Sequence, residues 1–355
     1  MRKHISLSRL ALIAPILMLP FVACSSGDDS STTGGGHPVG AADDGGTGNY
    51  GAEGGTTGEG GATVNGDGGD VTKSDGGIAG FTTIFTIVLE NHDYKEVVGD
   101  STDAPFLNSL ITSYGLATNY MDSGTHPSLP NYLDMMSGDT QYFGLVDLDP
   151  TQTPAPFSAD NLGNQLQTAG IKWRGYAEGM GSACNLKASG NYAPKHDPFL
   201  YFDDIQTGPC ADRNVDYTSF AADLAGGTYR YMYIAPDLVD DGHNPVDFLG
   251  NASDPVASLT ASDTWCKNEV GKIMASDAYK NGGVIFITWD EAEGRNGDSK
   301  DQVPMIVVSP KIKSVGFKSA TAYSHKSYLA TVEDILGLTR LATVSSEPNM
   351  LEFFK

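Results

Sequence analysis

The chain has 355 residues, a formal net charge of −22, 43 Gly, 4 Cys and 40% hydrophobic residues. That length fits one large α/β domain or two smaller ones, and the apolar fraction suffices for a sizeable core, which excludes wholesale disorder. The acidity argues against nucleic acid as a partner and against loose docking on anionic lipid, and four Cys are too few for a disulfide-built scaffold.

At the amino end, Arg2, Lys3 and Arg9 accompany an apolar run from Leu10 to Val22 that is too short to span a bilayer comfortably. The run ends in Phe21-Val22-Ala23-Cys24, which is similar to a bacterial lipobox, with Phe21 where an aliphatic residue is usual. Residues 1–24 are therefore expected to be an export signal with Cys24 as its lipidation site. The bland alternative is a secretory signal with a chance Cys. Either way the mature chain leaves the cytoplasm, secreted or lipid-anchored in the cell envelope. Residues 25–80 hold 20 Gly and nine acidic residues against one Lys, with almost no large apolar side chain. Such a segment cannot bury enough surface to offset its ordering entropy, so a flexible tether is expected.

Residues 81–355 remain for the folded domain. Thr83–Leu89, Tyr231–Ile234, Val284–Thr288 and Met305–Val308 are short apolar, β-branched runs of the kind buried strands make. Helical patterns fit Pro105–Tyr114, Ser128–Ser137, Asn161–Ala169, Thr264–Ala275 and Ser327–Leu336. Strands alternating with helices predict a mostly parallel central sheet flanked by helices on both faces, with any ligand at the carboxyl ends of the strands. The stretch 178–212, rich in Gly, Pro and Asn, is expected to be a long loop excursion. Cys184 and Cys210 flank it, and an oxidising compartment favours a bridge between them over two free thiols. Cys266, beside Trp265 in a helical pattern, is expected to be a small buried apolar residue.

Four sets of residues look chemical. Glu90-Asn91 follows the first strand and Asp290-Glu291 follows Val284–Thr288, so two oxygen-bearing pairs at two strand ends could converge on one hard cation. Polar residues after a strand are, taken singly, usually only the start of a loop. Ser128, in Gly-Thr-His-Pro-Ser-Leu-Pro-Asn-Tyr, is placed at a helix start with Pro130 in the first turn. That end of a helix favours an ionised oxygen and phosphate, although most such serines are plain caps. His92, His126, His196, His243 and His325 are scattered over the domain, several at junctions suited to acid work or phosphate binding. There is no His-Glu-x-x-His, no Cys-x-x-Cys and no Gly-x-Ser-x-Gly, so zinc protease, structural zinc and ordinary lipase readings fall away.

Taken in order, IVLENHDY (87–94), HPSLPNYL (126–133), SGDTQ (137–141), YAEGM (176–180), KHDPF (195–199), PDLVDDGH (236–243), TWDE (288–291), VPMIVVSP (303–310) and YSHKSYLATVEDILGL (323–338) resemble the bacterial and fungal phosphoesterase family of acid phosphatases and phospholipases C, within the alkaline phosphatase-like superfamily. The resemblance implies an alkaline phosphatase-like fold and a metal-dependent phosphomonoesterase, with phosphoinositides among the substrates of its smaller secreted members. It implies Ser128 as nucleophile, with Thr125 as fallback, and Glu90, Asn91, Asp290 and Glu291 as ligands of a Ca, Mg or Mn-like ion. It implies His126, His243 and His325 as catalytic histidines and Asn131 and His196 as substrate contacts. Lys195, Lys326 or Arg295 could supply the positive pocket that an acidic protein needs for an anionic substrate. A phospholipase C-type phosphodiesterase and a non-catalytic surface binding protein are the alternatives. Partners are expected to be limited to the phosphate ester and, through the anchor, a membrane; a monomer is expected.

Overall fold

A computed structural model describes residues 77–142, 144, 146–243, 255–293 and 301–355. The expected export signal with Cys24, the tether as far as residue 76, and Arg295 lie outside the described residues.

The organising strand is β1 (Ile84–Leu89), whose six side chains are all buried. Successive strand side chains point to opposite faces, so a strand with none exposed must be covered on both. β1 pairs in parallel with β6 (Tyr231–Ala235) on one side and β7 (Val284–Trp289) on the other. The remaining strands are β2 (Gly115–Ala117), β3 (Tyr120–Met121), β4 (Trp173–Ala177), β5 (Asn214–Asp216), β8 (Met305–Val308), β9 (Phe317–Ser319) and β10 (Tyr323–Ser324). The central sheet has eight strands in the order β5-β4-β6-β1-β7-β8-β2-β9, and β3 pairs with β10 in a small second sheet. β8 runs antiparallel to both β7 and β2; the other pairings are parallel.

The helices of seven residues or more are α1 (Pro105–Ser113), α2 (Ser128–Ser137), α3 (Leu162–Thr168), α4 (Phe220–Gly226), α5 (Pro255–Ala275) and α6 (His325–Leu336). α2 packs on α6, and α1 on α5. Thr86 of β1 and Tyr231 of β6 hydrogen bond to the Tyr328 hydroxyl of α6 at 2.6 and 2.9 Å, tying that layer to the sheet through otherwise apolar packing. The stretch 178–212 carries only single turns and four-residue helices, and Cys184 and Cys210 are disulfide-bonded with their Cα atoms 5.4 Å apart. Cys266 is free and fully buried within α5.

Register positions the site. Leu89 of β1 lies opposite Trp289 of β7, so the next residue of each strand, Glu90 and Asp290, emerge together at the carboxyl edge. The Asp290 amide donates to the Leu89 carbonyl at 2.9 Å, and the Glu90 amide to the Asp241 carbonyl at 2.8 Å, which brings in the loop after β6. Gly242 turns that loop at φ +89, where a Cβ would also meet the Ser262 Oγ at 3.1 Å.

Candidate active site

Ser128 is the first residue of α2, and Pro130 lies in its first turn, as the sequence predicts. Its side chain is buried between both strand ends. The Oγ donates to Glu90 Oε2 at 3.1 Å, lies 3.5 Å from Glu291 Oε1, and accepts from Lys195 Nζ at 3.1 Å. Thr125, the fallback nucleophile, instead uses its amide on the Ser123 Oγ and its carbonyl on Asn131.

Glu90 is completely buried and shared. Oε2 faces Ser128 and, at 3.2 Å, Lys195; Oε1 accepts from the Tyr132 hydroxyl at 2.8 Å and lies 2.9 Å from His196 Nε2. Burial alone would raise this carboxyl, but Lys195, His196 and His243 hold it well below the usual carboxylate range. Asp290 is equally buried and is pushed well above its ordinary value by that burial and by the nearby charges of Glu90 and Glu291.

Asn91 links the two pairs. Its backbone adopts φ 50, a left-handed conformation that Asn tolerates better than most side chains. In that geometry its amide donates to Asp290 Oδ1 at 3.1 Å and its Nδ2 to Glu291 Oε1 at 3.0 Å. Asn91 Oδ1 and Asp290 Oδ2 are buried with no hydrogen-bond partner among the described residues. Orphaned buried acceptors among three carboxylates are costly unless a cation satisfies them. Glu90, Asn91, Asp290 and Glu291 therefore fit an oxygen-ligated divalent ion.

Lys195 and His196 reach this centre on a single turn, Pro194–His196, inside the disulfide-closed excursion. Lys195 also pairs with Asp147 at 3.1 Å, and Asp147 accepts from the Leu129 amide in the first turn of α2 at 2.9 Å. One amide of the helix end that favours phosphate is thus already engaged. Nothing in the pattern around Asp147 marks it from sequence. Lys326 lies 3.8 Å from Asp134, so of the two described cations named for a positive pocket it is Lys195 that reaches the serine.

The remaining histidines divide sharply. His126 has a side chain 41% exposed, and its Nδ1 lies 2.5 Å from Glu291 Oε2; that hydrogen bond raises its pKa against partial burial. His243 is half-buried, its amide donates to Asp241 Oδ1 at 2.6 Å, and burial lowers its pKa. His325, the first residue of α6, is fully buried. Its Nε2 lies 2.6 Å from the Asp290 carbonyl and its Nδ1 3.0 Å from the Tyr120 hydroxyl, and burial lowers its pKa to about 4. A neutral ring held at both nitrogens orients the Asp290 strand end, which corrects the expected catalytic role of His325, whether in contact with phosphate or as a proton donor. Asn131 is corrected in the same sense. Its amide is spent on Ser123, Thr125 and Glu291, so it braces the loop before the serine and has no face left for substrate. His92, buried beside Glu96 at 3.1 Å, stands outside the centre.

The chain matches the model of the Phosphoesterase family over residues 99–339. It is 29% identical over 287 residues to a probable acid phosphatase of Kluyveromyces lactis, covering 77% of this chain and 62% of that protein. It is 26% identical over 279 residues to a phosphatidylinositol-3-phosphatase of Mycobacterium tuberculosis, covering 77% and 83%. Among solved structures, an alkaline phosphatase superfamily protein from Vibrio parahaemolyticus superposes with a TM-score of 0.54 at 10% identity, covering 77% and 71% of the two chains, a likeness of fold. The chain spans about three fifths of the length of the Kluyveromyces relative.

Proposed function

This chain belongs to the Phosphoesterase family, and from that premise we propose that it is an exported, metal-dependent phosphomonoesterase of the acid phosphatase type acting through a phosphoserine on Ser128. The observation that carries the reading is the position of the Ser128 Oγ, held between the Glu90 carboxylate and the Lys195 ammonium at 3.1 Å from each. Glu90 accepts the Ser128 hydrogen bond and aims the oxygen at phosphorus, and Lys195 stabilises the negative charge that develops on that oxygen as its proton is released to solvent. A divalent cation of Ca, Mg or Mn type on Glu90, Asn91, Asp290 and Glu291 would supply neutralisation of the phosphoryl oxygens. Asn91 and Asn131 keep the two acidic pairs and the serine loop in register, which limits reorganisation during reaction. His126, exposed at the rim and protonated more readily than an ordinary histidine, is the candidate donor to the leaving alcohol. His243, on the opposite loop, is the second candidate.

One further feature supports this reading. The Cys184–Cys210 bridge fits an oxidising compartment and hence export, with anchorage at Cys24 as the proposed form. Among the described residues no helix is long and apolar enough to cross a membrane. The chain is proposed to act as a monomer on soluble or lipid phosphate monoesters, phosphoinositides included, as the name of the mycobacterial relative suggests.

The test is an assay of the purified mature chain on p-nitrophenyl phosphate, a phosphoinositide monophosphate and p-nitrophenyl phosphorylcholine, with and without chelator. The expected result is a higher kcat/KM on the monoesters, lost on chelation and restored by a divalent ion. A clear preference for the choline diester would favour the phospholipase C-type reading. No turnover on any substrate with metal bound would favour the binding protein.

A further inference from the structure

We infer that Glu90 bridges two cation sites, and that its inner face, with His196 and Asp241, holds a second ion separate from the one assigned to Asn91, Asp290 and Glu291. The inference extends the proposed phosphoesterase reading and rests on its assignment of Glu90 to the first ion.

The three side chains come from three places: the end of β1, the turn Pro194–His196, and the loop after β6. All three are buried, and one ligand atom from each lies within 4.8 Å of the other two. His196 Nε2 is 2.9 Å from Glu90 Oε1 and 3.8 Å from Asp241 Oδ2. A first-row ion bound at roughly 2.0–2.2 Å sets its ligands about 3.0–3.5 Å apart, between those two values.

The hydrogen bonding around the three residues points the same way. His196 Nδ1 lies 3.3 Å from the Pro236 carbonyl, an acceptor, so this nitrogen carries the proton. Metal-binding imidazoles are oriented in this manner, with the remote N–H on a backbone carbonyl and the lone pair facing the ion. Asp241 is aimed by the His243 amide, which donates to its Oδ1 at 2.6 Å, while its Oδ2 has no hydrogen-bond partner among the described residues. His196 Nε2 likewise makes no aligned hydrogen bond among them, although Glu90 Oε1 is near. The Tyr132 hydroxyl donates to Glu90 Oε1, but the His196 Nε2 lone pair and Asp241 Oδ2 that converge on the same buried point stay unsatisfied unless a cation lies among them. A proton on Nε2 would relieve one contact, that to Glu90, and leave Asp241 Oδ2 unsatisfied at 3.8 Å.

The donor sets differ in kind. The outer set is wholly oxygen and suits Mg²⁺, Ca²⁺ or Mn²⁺, whereas imidazole with two carboxylates shifts the preference towards Mn²⁺, Fe²⁺ or Zn²⁺. The inner ion would neutralise the rear of Glu90 while the front oxygen faces Ser128.

The experiment is metal counting on the full mature chain, stripped with chelator, reloaded with Mn²⁺ alone, desalted and analysed by inductively coupled plasma mass spectrometry, with electron paramagnetic resonance on the same samples. The wild type should hold two equivalents per chain and show an exchange-coupled Mn²⁺ signal. Asp241→Asn and His196→Ala should each hold one equivalent with an uncoupled signal. Asp241→Asn is nearly isosteric, so it carries the test if His196→Ala fails to fold. One equivalent in the wild type, lost in Asp290→Asn, would overturn the second site and leave the first standing. No bound metal would sink both. Two equivalents retained in both His196 and Asp241 variants would place the extra ion elsewhere and overturn the inference.

Discussion

β1 and β7 end side by side in two oxygen-bearing pairs, Glu90-Asn91 and Asp290-Glu291, yet the two ends are electrostatically opposite. Glu90 is surrounded by cationic groups and held far below its ordinary pKa, whereas burial and its acidic neighbours drive Asp290 far above. One end is therefore already compensated by the protein, through the Lys195 ammonium, and the other is not. The difference shows why a cation belongs at this edge: the protein's own positive charge reaches the Glu90 side and leaves the Asp290 side in deficit. It also places Ser128 at the boundary, with a compensated carboxylate on one flank and an electron-rich strand end on the other.

Removing the serine between the two ends should have the largest effect. Ser128→Ala is expected to lower kcat on p-nitrophenyl phosphate by about 10³-fold or more with the circular dichroism spectrum unchanged. Activity near that of the wild type in the folded variant would move the nucleophile to Thr125.

The two ends should respond oppositely when each is made neutral in metal-free protein. Glu90→Gln strands the Lys195 ammonium beside an uncharged amide, and a broken buried pair of this kind costs about 3 kcal/mol, read from urea unfolding. Asp290→Asn removes a buried like charge, so its stability in chelator should equal or exceed that of the wild type. Both variants should lose most of their activity when metal is returned. Equal destabilisation of the two would erase the distinction drawn between the strand ends.

The excursion that delivers Lys195 and His196 is closed by the disulfide. Replacing Cys184 and Cys210 together by Ser should cost about 2–4 kcal/mol of stability. It should also raise KM more than it lowers kcat, because the turn would still be able to reach Glu90. A loss of stability below 1 kcal/mol would show that packing of the excursion, not the bridge, holds the compensated end.

The smallest effect concerns a control carboxyl away from the centre. Burial raises Asp134, on α2, from 3.8 to about 7. A carboxyl with a raised native pKa binds its proton more tightly when folded, so its contribution to stability is full below pH 3.8 and is lost as pH rises through 7. Asp134→Asn should flatten the fall in Tm between pH 4 and 7 without altering the metal requirement. An unchanged Tm profile would show that Lys326 compensates this carboxyl as Lys195 compensates Glu90.

How much of this was legible beforehand follows from scale. β1 and β7 could be read from continuous apolar runs, α2 from Ser128 and Pro130, and the paired acids from their place after strands, because each is a local pattern. Strands such as Gly115–Ala117 and Asn214–Asp216 are three residues long and are made by pairing, not by propensity, so no window reveals them. α5 starts nine residues before the expected Thr264, since its first turns carry small polar residues without a clear apolar stripe. In the site, Asp147 acts through Leu129 and Lys195, and Asp241 meets Glu90 and His196, all distant in sequence. The disulfide-closed stretch, legible only as a loop excursion, carries Lys195 to the serine oxygen. His325 and Asn131 were assigned chemical roles by motif, and only their burial and partners reveal that they hold the acidic pairs in place.

The central claim is that Ser128 itself carries the phosphoryl group between the two strand ends. The most direct measurement is an acid quench during steady-state turnover of a phosphate monoester, followed by peptide mass mapping of the trapped protein. A phosphate on the Ser128 hydroxyl, absent when substrate is omitted and absent in Ser128→Ala, is the predicted result. A phosphate mapped to Thr125 or to a histidine, or an unmodified Ser128 peptide under conditions where burst kinetics show an accumulating intermediate, would contradict it.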